Sequence, residues 1–360
     1  MQVRDFLGEQ IADGVFEPRC NAWMTRFDPA FSRQLAARGW LGLTLPRKYG
    51  GHGATARHRL VVTEELLAHG APVGAHWIAD RQMGPNLLAF GSERLKHDLL
   101  PRITRGETFF CIGMSEPDSG SDLASIRTRA TPVAGGWQVS GTKVWTTGAH
   151  VADLMMTLVR TRPAESDRHA GMSQLVIDLQ ARGVSVTPIE SMDGAHHFNQ
   201  VVLDEVFVPE HHLVGTEGEG WRQVTAELAF ERSGPERYLS TFPLLTAWSR
   251  TLGAESSDAA VADLGLLLAR VWALRQMSAR IADAIAAGSS PSVEAALVKD
   301  LGWVLERDVI DVVRRHRRPG RDEQVDRLLG ESVQDAPTFS LRGGTPEILR
   351  GVVARSLGVR

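Results

Sequence analysis

The spacing of apolar residues changes period twice along the chain, and this double change limits the possible folds more than any other feature. In FSRQLAARGWLGL, HRLVVTEELLAHG and SERLKHDLLPRITRG, apolar residues recur three and four apart, as on one side of a helix. After Thr108 come FFCIGMS, GWQVSGTKVWTTG, DLMMTLVRT, MSQLVIDL, VSVTPIE and NQVVLDEVFVP, short runs rich in β-branched residues and parted by Gly, Pro and Asp. These are strand signals, and Ala134-Gly135-Gly136 suits a hairpin turn. From Trp221 the chain returns to long amphipathic stretches: WRQVTAELAFERSGPERYLSTFPLL, ADLGLLLARVWALRQMSARIADAIAAG and SVEAALVKDLGWVLERDVIDVVRRHRR, then a closing helix. Four such helices pack most simply as an antiparallel bundle. The pattern predicts an α+β multidomain chain. Residues 1–107 form an N-terminal α-helical domain, 108–218 a middle antiparallel β domain and 219–360 a C-terminal four-helix bundle.

Bulk properties exclude several classes. The formal charge of −3 lacks the basic excess of a nucleic-acid-binding protein. Cys20 and Cys111 stand far apart, without the spacing of a thiolate metal site or a disulfide framework. LGLLLARVWAL (264–274) is the longest apolar run, is interrupted by Arg270 and is too short to span a bilayer. MQVRDFLGEQIADG does not read as a secretory signal, so a soluble, cytoplasmic protein is expected.

Several stretches invite a site and have a plainer explanation. YGGHG (49–53) misses the spacing of a dinucleotide loop. GWQVSGTK (136–143) has its lysine in the wrong place for a phosphate loop and lies within strands. His196-His197 and His211-His212 read as surface turn residues, because neighbours on a strand point to opposite faces and rarely share one metal ion. RRHRRPGR (314–321) reads as the solvated, dipole-complementing end of a helix. No metal site is expected.

Three stretches are more informative. MSEPDSGSDLAS (114–125) is a loop after a strand, rich in hydroxyls and exposed backbone N–H groups. VWTTG (144–148) sets a large aromatic beside two threonines, a set suited to an aromatic, hydrogen-bonding ligand. SLRGGTPEILRG (340–351) places Arg342-Gly343-Gly344 before a helix start. There the Thr345 hydroxyl can accept a first-turn N–H, and Pro346 suits the first helical position.

Read together, MSEPDSGSDLASIRT, VSGTKVWTTGAHVAD, DGAHHFNQVVLDEVFVP with LVGTEGEGW, and GGTPEILRGVVAR resemble the acyl-CoA dehydrogenase family, in order and spacing. The resemblance covers nearly the whole chain. GAHH, ELAFERSGPER and GGTPEI look most like bacterial members acting on branched, cyclic or steroid-derived acyl-CoAs. It implies the acyl-CoA dehydrogenase fold and FAD as cofactor. The implied reaction is α,β-dehydrogenation of an acyl-CoA thioester to a trans-2-enoyl-CoA, with electrons passed to an electron-transfer flavoprotein. Flavin contacts carry over to Ile112, Met114, Ser115, Gly120 and Ser121, and to Trp145, Thr146 and Thr147, with Thr147 near the flavin N5. Thr345 and Glu347 match cofactor contacts at the start of the last helix, where free N–H groups suit phosphate or carbonyl oxygens.

The implied reaction removes an α-proton and requires a base with a raised pKa, together with hydrogen bonds to the thioester carbonyl. Many members carry a glutamate just before the closing Gly-Thr; here that position is Gly343. A second family arrangement puts the glutamate on the first bundle helix before an arginine, and Glu231-Arg232 matches it. Glu231 is then the catalytic base, and Ser121, Arg232 and the Gly343 N–H are substrate-side groups. The bare position 343 would also leave room for a branched or bulky acyl group.

The sequence departs from the family in two places. LGAESSDAAVADLGLL stands where an Arg-x-x-Phe-Gly segment usually holds the flavin pyrophosphate across a subunit interface, and RPGRDEQVDRLLGESVQDAPTFSL replaces the usual connection with Gln-x-x-Gly-Gly. Assembly is then as a homo-oligomer, dimer or tetramer, or as a heteromer with a second dehydrogenase-like chain. Two rivals share the fold: a flavin monooxygenase or oxidase, which would consume oxygen, and a non-catalytic subunit, which would carry no flavin.

Overall fold

The computed structural model describes the chain except residues 165, 166, 193, 233, 290 and 360, and describes 228–231 by backbone alone. Helices α1 (Gln2–Ala12), α2 (Ala22–Thr25), α3 (Pro29–Ala37), α4 (Ala56–Ala68), α5 (Gly74–Ile78), α6 (Gly84–Phe90) and α7 (Glu93–Thr104) come first. Strands β1 (Phe110–Gly113), β2 (Arg129–Val133), β3 (Gly136–Lys143), β4 (Leu154–Arg160), β5 (Met172–Asp178), β6 (Val184–Glu190), β7 (His196–Pro209) and β8 (Leu213–Val214) follow. Helices α8 (Gly220–Arg232), α9 (Phe242–Arg250), α10 (Asp258–Ala286), α11 (Ser292–His316), α12 (Glu323–Leu341) and α13 (Pro346–Ser356) complete the chain. The order is helices, sheet, helices, as the two changes of period require. The described residues fall into two compact units that each gather distant segments: Arg26–Ala54 with Val73–Leu228, and Met1–Thr25 with Thr55–Pro72 and Ala229–Arg360.

The first unit holds the sheet, in the order β6-β7-β3-β2-β4-β5-β8, with β1 also paired to β4. The ladders are antiparallel except where β1, and Arg129 of β2, run parallel to β4. β4 shows why its sequence reads as a continuous apolar run. Met155 and Val159 join a core with Leu175, Ile177, Val201 and Leu203, whereas Leu154 and Met156 face Met83, Leu87, Leu95 and Leu99 of the helical segments. Successive residues point to opposite faces, and both faces are covered. Here His76 of α5 is buried beside Ser32, with Ser32 Oγ and His76 Nδ1 2.8 Å apart.

Burial lowers the His76 pKa to about 3. A histidine with a depressed folded pKa contributes its full stability above its unfolded value of about 6.5 and loses it as pH falls toward the folded value. Stability should therefore drop between about pH 6.5 and about pH 3. His76→Gln, whose amide can still donate to Ser32 Oγ, should flatten that slope in urea titrations at stepped pH.

In the second unit α11 packs against α9, α10, α12 and α13. Ala295, Ala296, Val298, Gly302, Leu305, Val309 and Val313 are buried on it, a stripe wide enough for neighbours on several sides. Gly302 permits one close approach: a Cβ there would run into the Arg237 carbonyl. The connecting segment 318–341 is mostly helix α12, which the sequence reading did not mark. Asp322 caps it by accepting the Val325 N–H at 2.9 Å, and Val325, Leu328, Leu329 and Ser332 are buried at helical spacing. Pro337 lies inside its last third, where it leaves the Val333 carbonyl without its i+4 N–H donor. The stretch read as helical through 221–245 divides into α8, a short 3-10 turn at Pro235–Arg237, and α9. Among the described residues no helix is long and apolar enough to cross a membrane.

A buried ion pair ties this unit together. The Arg342 side chain is 7% exposed and donates to Glu306, 1% exposed, at 2.8 Å. The same guanidinium bonds Asn21 Oδ1 at 2.6 Å and Ser240 Oγ at 2.8 Å, and lies over the Trp23 and Phe339 rings. Removing one partner of such a pair leaves the other charge buried, at a cost of about 3–5 kcal/mol. Arg342→Met should lower unfolding stability by about that amount in denaturant titration, and the double variant Arg342→Met/Glu306→Leu should recover a large part of the loss.

Candidate active site

Two backbone features carry the expected site residues, one in each unit. In the sheet unit, the loop after β1 is folded back on itself by one carboxylate. Glu116, 8% exposed, accepts the Arg127 N–H at 2.6 Å and the Thr128 N–H at 2.9 Å. Lys143, at the end of β3 and 0% exposed, donates to Glu116 at 2.9 Å and to the Met114 carbonyl at 3.0 Å. Burial lowers the Lys143 pKa to about 8. Burial alone would raise Glu116, but the Lys143 charge and the donors from Thr128, Lys143 and Arg127 outweigh it and hold the carboxylate below its usual range. Neither residue was singled out from sequence as a ligand or catalyst; their meaning depends on partners 27 positions apart.

The turn at 144–148 is bonded on both sides. The Val144 N–H donates to the Ser115 carbonyl at 2.9 Å, the Thr146 N–H to the Asn199 carbonyl at 3.0 Å and the Gly148 N–H to the His197 carbonyl at 2.9 Å. Trp145 takes the left-handed backbone, φ +59°, and its indole is 60% exposed, edge-on to Phe198 with centroids 5.8 Å apart. Met114 and Ser115 are thus brought alongside 143–147, both half-buried, as are Thr147 and, on β1, Ile112; Gly120 and Ser121 are exposed on the loop.

Thr146 departs from the expectation of a cofactor contact. Its side chain is 0% exposed, and both its backbone groups are taken by Asn199, so it shapes the turn instead. An exposed indole plate with the hydroxyls of Ser115, Ser121 and Thr147 fits a flat heteroaromatic group with a hydrogen-bonding rim. FAD presents such a group.

In the helical unit, Gly343 and Gly344 have φ of +68° and +103°, backbone that side chains resist. Arg232 Nε donates to the Gly343 carbonyl at 2.9 Å. A Cβ at 343 would stand 3.1 Å from the Arg237 guanidinium, so the room expected beside a bare residue 343 is already filled. Among the described residues no acceptor meets the Gly343 N–H. Arg232, expected on the substrate side, holds the strap in place. The Glu231 side chain, the expected base, lies outside the described residues; its backbone is in α8 directly before Arg232.

Thr345 is the N-cap of α13 by backbone shape and Pro346 its first residue, but the Thr345 hydroxyl accepts no first-turn N–H, contrary to expectation. The nearby Glu347 amide first, and then the Thr345 hydroxyl, hold the exposed Glu347 carboxylate below its usual range.

One histidine doublet departs from the turn reading: His196 and His197 open β7, half-buried. His211 and His212 do lie in a 3-10 turn, Glu210–His212, and are half-buried. Among the described residues no group of three His, Cys, Asp or Glu could hold a metal ion. The arginines at the end of α11 face Asp311, Asp263 and Asp326, in keeping with a solvated helix end.

Gly343→Ala tests the strap directly. Strained φ and the nearby Arg237 should together lower stability by about 1–3 kcal/mol in chemical denaturation. Loss of less than about 0.5 kcal/mol would mean the strap relaxes freely.

Residues 1–107 match the model of the acyl-CoA dehydrogenase N-terminal domain, and residues 111–206 that of the acyl-CoA dehydrogenase middle domain. The chain is 34% identical over 349 residues to acyl-CoA dehydrogenase IpdE1 of Mycobacterium tuberculosis, covering 92% of this chain and 87% of that one. Its fold is similar to the Tcur3481-Tcur3483 steroid ACAD, with a TM-score of 0.86, 25% identity and coverage of 100% of this chain and 96% of that one. It is also similar to a chain of the ChsE4-ChsE5 complex from Mycobacterium tuberculosis, with a TM-score of 0.80, 27% identity and coverage of 100% and 96%. The helix–sheet–helix order, the loop after β1 and the two family models agree: the chain is an enzyme of the acyl-CoA dehydrogenase family.

Proposed function

We propose that this chain catalyses α,β-dehydrogenation of an acyl-CoA thioester, with FAD as cofactor, Glu231 as base and an electron-transfer flavoprotein as acceptor. The observation that carries the reading is the bond from Arg232 Nε to the Gly343 carbonyl. It ties the end of α8 to a strap whose conformation excludes a side chain, so the carboxylate missing at 343 has a substitute one residue from the tie. The Gly343 N–H donates to the thioester carbonyl oxygen and stabilises the charge that develops as the α-proton leaves. Glu231 accepts that proton, with its pKa raised once the acyl chain expels water. Trp145, Thr147 and the loop 112–121 hold the flavin ring, and Thr345 and Glu347 are cofactor contacts at the start of α13. When bound, FAD supplies the hydride acceptor for the β-carbon.

For the acyl group we propose a steroid-derived or other branched, cyclic chain, supported by the similarity to a protein named as a steroid ACAD. Spare room at residue 343 no longer supports that choice, since Arg237 occupies it. A heteromeric assembly is the second reading, favoured by similarity to a chain of a two-component complex.

Purified protein should carry flavin that bleaches anaerobically when a suitable acyl-CoA is added. Glu231→Gln should slow bleaching about 10²–10⁴-fold while leaving the flavin bound. Full-rate bleaching in that variant would remove Glu231 from the chemistry. Rapid oxygen consumption by the reduced protein would favour the oxidase reading, and flavin-free protein that co-purifies with a homologous chain would favour the heteromer.

A further inference from the structure

One side chain holds the Trp145 turn from behind. Asn199, on β7, is 0% exposed. Its Nδ2 donates to the Thr146 carbonyl at 2.9 Å and to His150 Nδ1 at 3.1 Å, and its Oδ1 accepts from His196 Nε2 at 2.6 Å. The Thr146 carbonyl can only accept, so the amide nitrogen must face it. That orientation fixes the rest of the network: His196 carries its proton on Nε2, and His150 presents a lone pair on Nδ1. The two imidazoles stack with centroids 3.9 Å apart and planes 24° apart. A tryptophan with φ +59° is strained and persists only where its surroundings enforce it. Here the enforcement is local, since both backbone groups of the next residue, Thr146, bond to Asn199.

We propose that Asn199 is the positioning residue of the Trp145 turn, and that its clamp on the stacked His150 and His196 makes the turn acid-labile. The first half stands on the geometry alone; its effect on the cofactor rests on the flavin reading above. Protonating His150 sets an N–H against the Asn199 amide N–H and a cation against the His196 ring. The titratable groups around His150 are His196 and His197 of β7, and the exposed Glu190 of β6 is the register partner of His196. The turn itself, Trp145 to Thr147, contributes no charge. Burial first, then the charge of His196, lowers the His150 pKa. The clamp is therefore intact at neutral pH and opens as pH falls below the ordinary histidine range.

The test measures amide exchange over 144–149 in the full-length protein, corrected for intrinsic pH dependence, alongside the FAD dissociation constant, at neutral pH and at about pH 5.5. In Asn199→Leu, exchange of the Thr146 and Gly148 amides should rise about tenfold or more, with weaker FAD binding. Asn199→Asp presents acceptors to the Thr146 carbonyl and to His150, so its turn should be loose at neutral pH. It should tighten on acidification, when protonated His150 can donate, which is the opposite of the parent protein. Turn exchange within about twofold of the parent in both variants, or the same pH trend in Asn199→Asp as in the parent, would overturn the proposal. If Asn199→Leu does not fold, the sign of the pH trend in Asn199→Asp decides alone. A loosened turn with unchanged FAD affinity would uphold the clamp and count against the flavin reading.

Discussion

The buried guanidinium of Arg342 is the contact on which the helical unit depends. It meets Glu306 of α11, Asn21 beside α2 and Ser240 before α9, between the rings of Trp23 and Phe339. A charge this far from water is tolerable only when its donors are met by a carboxylate and other acceptors. Satisfying it fixes where the chain leaves α12 and enters the glycine strap. Arg232 and Arg237 then settle the next residue, one by bonding the Gly343 carbonyl and the other by occupying the space of a side chain. Three arginines thus shape a stretch whose own letters are two glycines.

The sheet unit repeats the device with different residues. Lys143 and Glu116 close the loop after β1, and Asn199 holds the turn after β3. In both units the groups offered to a ligand are backbone amides, hydroxyls and one exposed indole, while the polar side chains that set them lie behind and are buried. This division has a physical reason. A site needs a fixed shape before the ligand arrives, and buried, fully bonded polar groups hold shape better than exposed ones, which exchange partners with water.

Membership of the acyl-CoA dehydrogenase family, together with a glycine where many members carry the base, turns attention to the end of α8. The tie between Arg232 and the strap gives that substitution a structural sense, because a side chain at 343 would be strained and crowded by Arg237. The proposed base moves to the neighbouring residue of the helix that holds it. The same tie gives Arg232 a structural role in holding the strap.

Much of this was legible in the chain. The change from helical to alternating spacing near Thr108, and back near Trp221, marked the order of helices and sheet, since periodicity directly records which faces are buried. Helix α12 escaped because Gly330, Pro337 and scattered charges blur its stripe, although Asp322 and Val325–Leu328–Leu329–Ser332 carry a helix signal. Family order in the motifs singled out the segments proposed for the flavin and the glutamate proposed as base. It could not tell that Thr146 turns inward, that the Thr345 hydroxyl makes no cap bond, or that Arg237 lies beside Gly343.

By itself, then, the sequence determined most of the elements, the order of helices and sheet, and the family, because local spacing and motif order are properties of neighbours along the chain. Only the tertiary structure decided which polar groups meet. Lys143 with Glu116, Asn199 with Thr146 and Arg342 with Glu306 are 27 to 53 positions apart. Nothing in the spacing of such residues records a partner, for a buried hydrogen bond depends on distance in space.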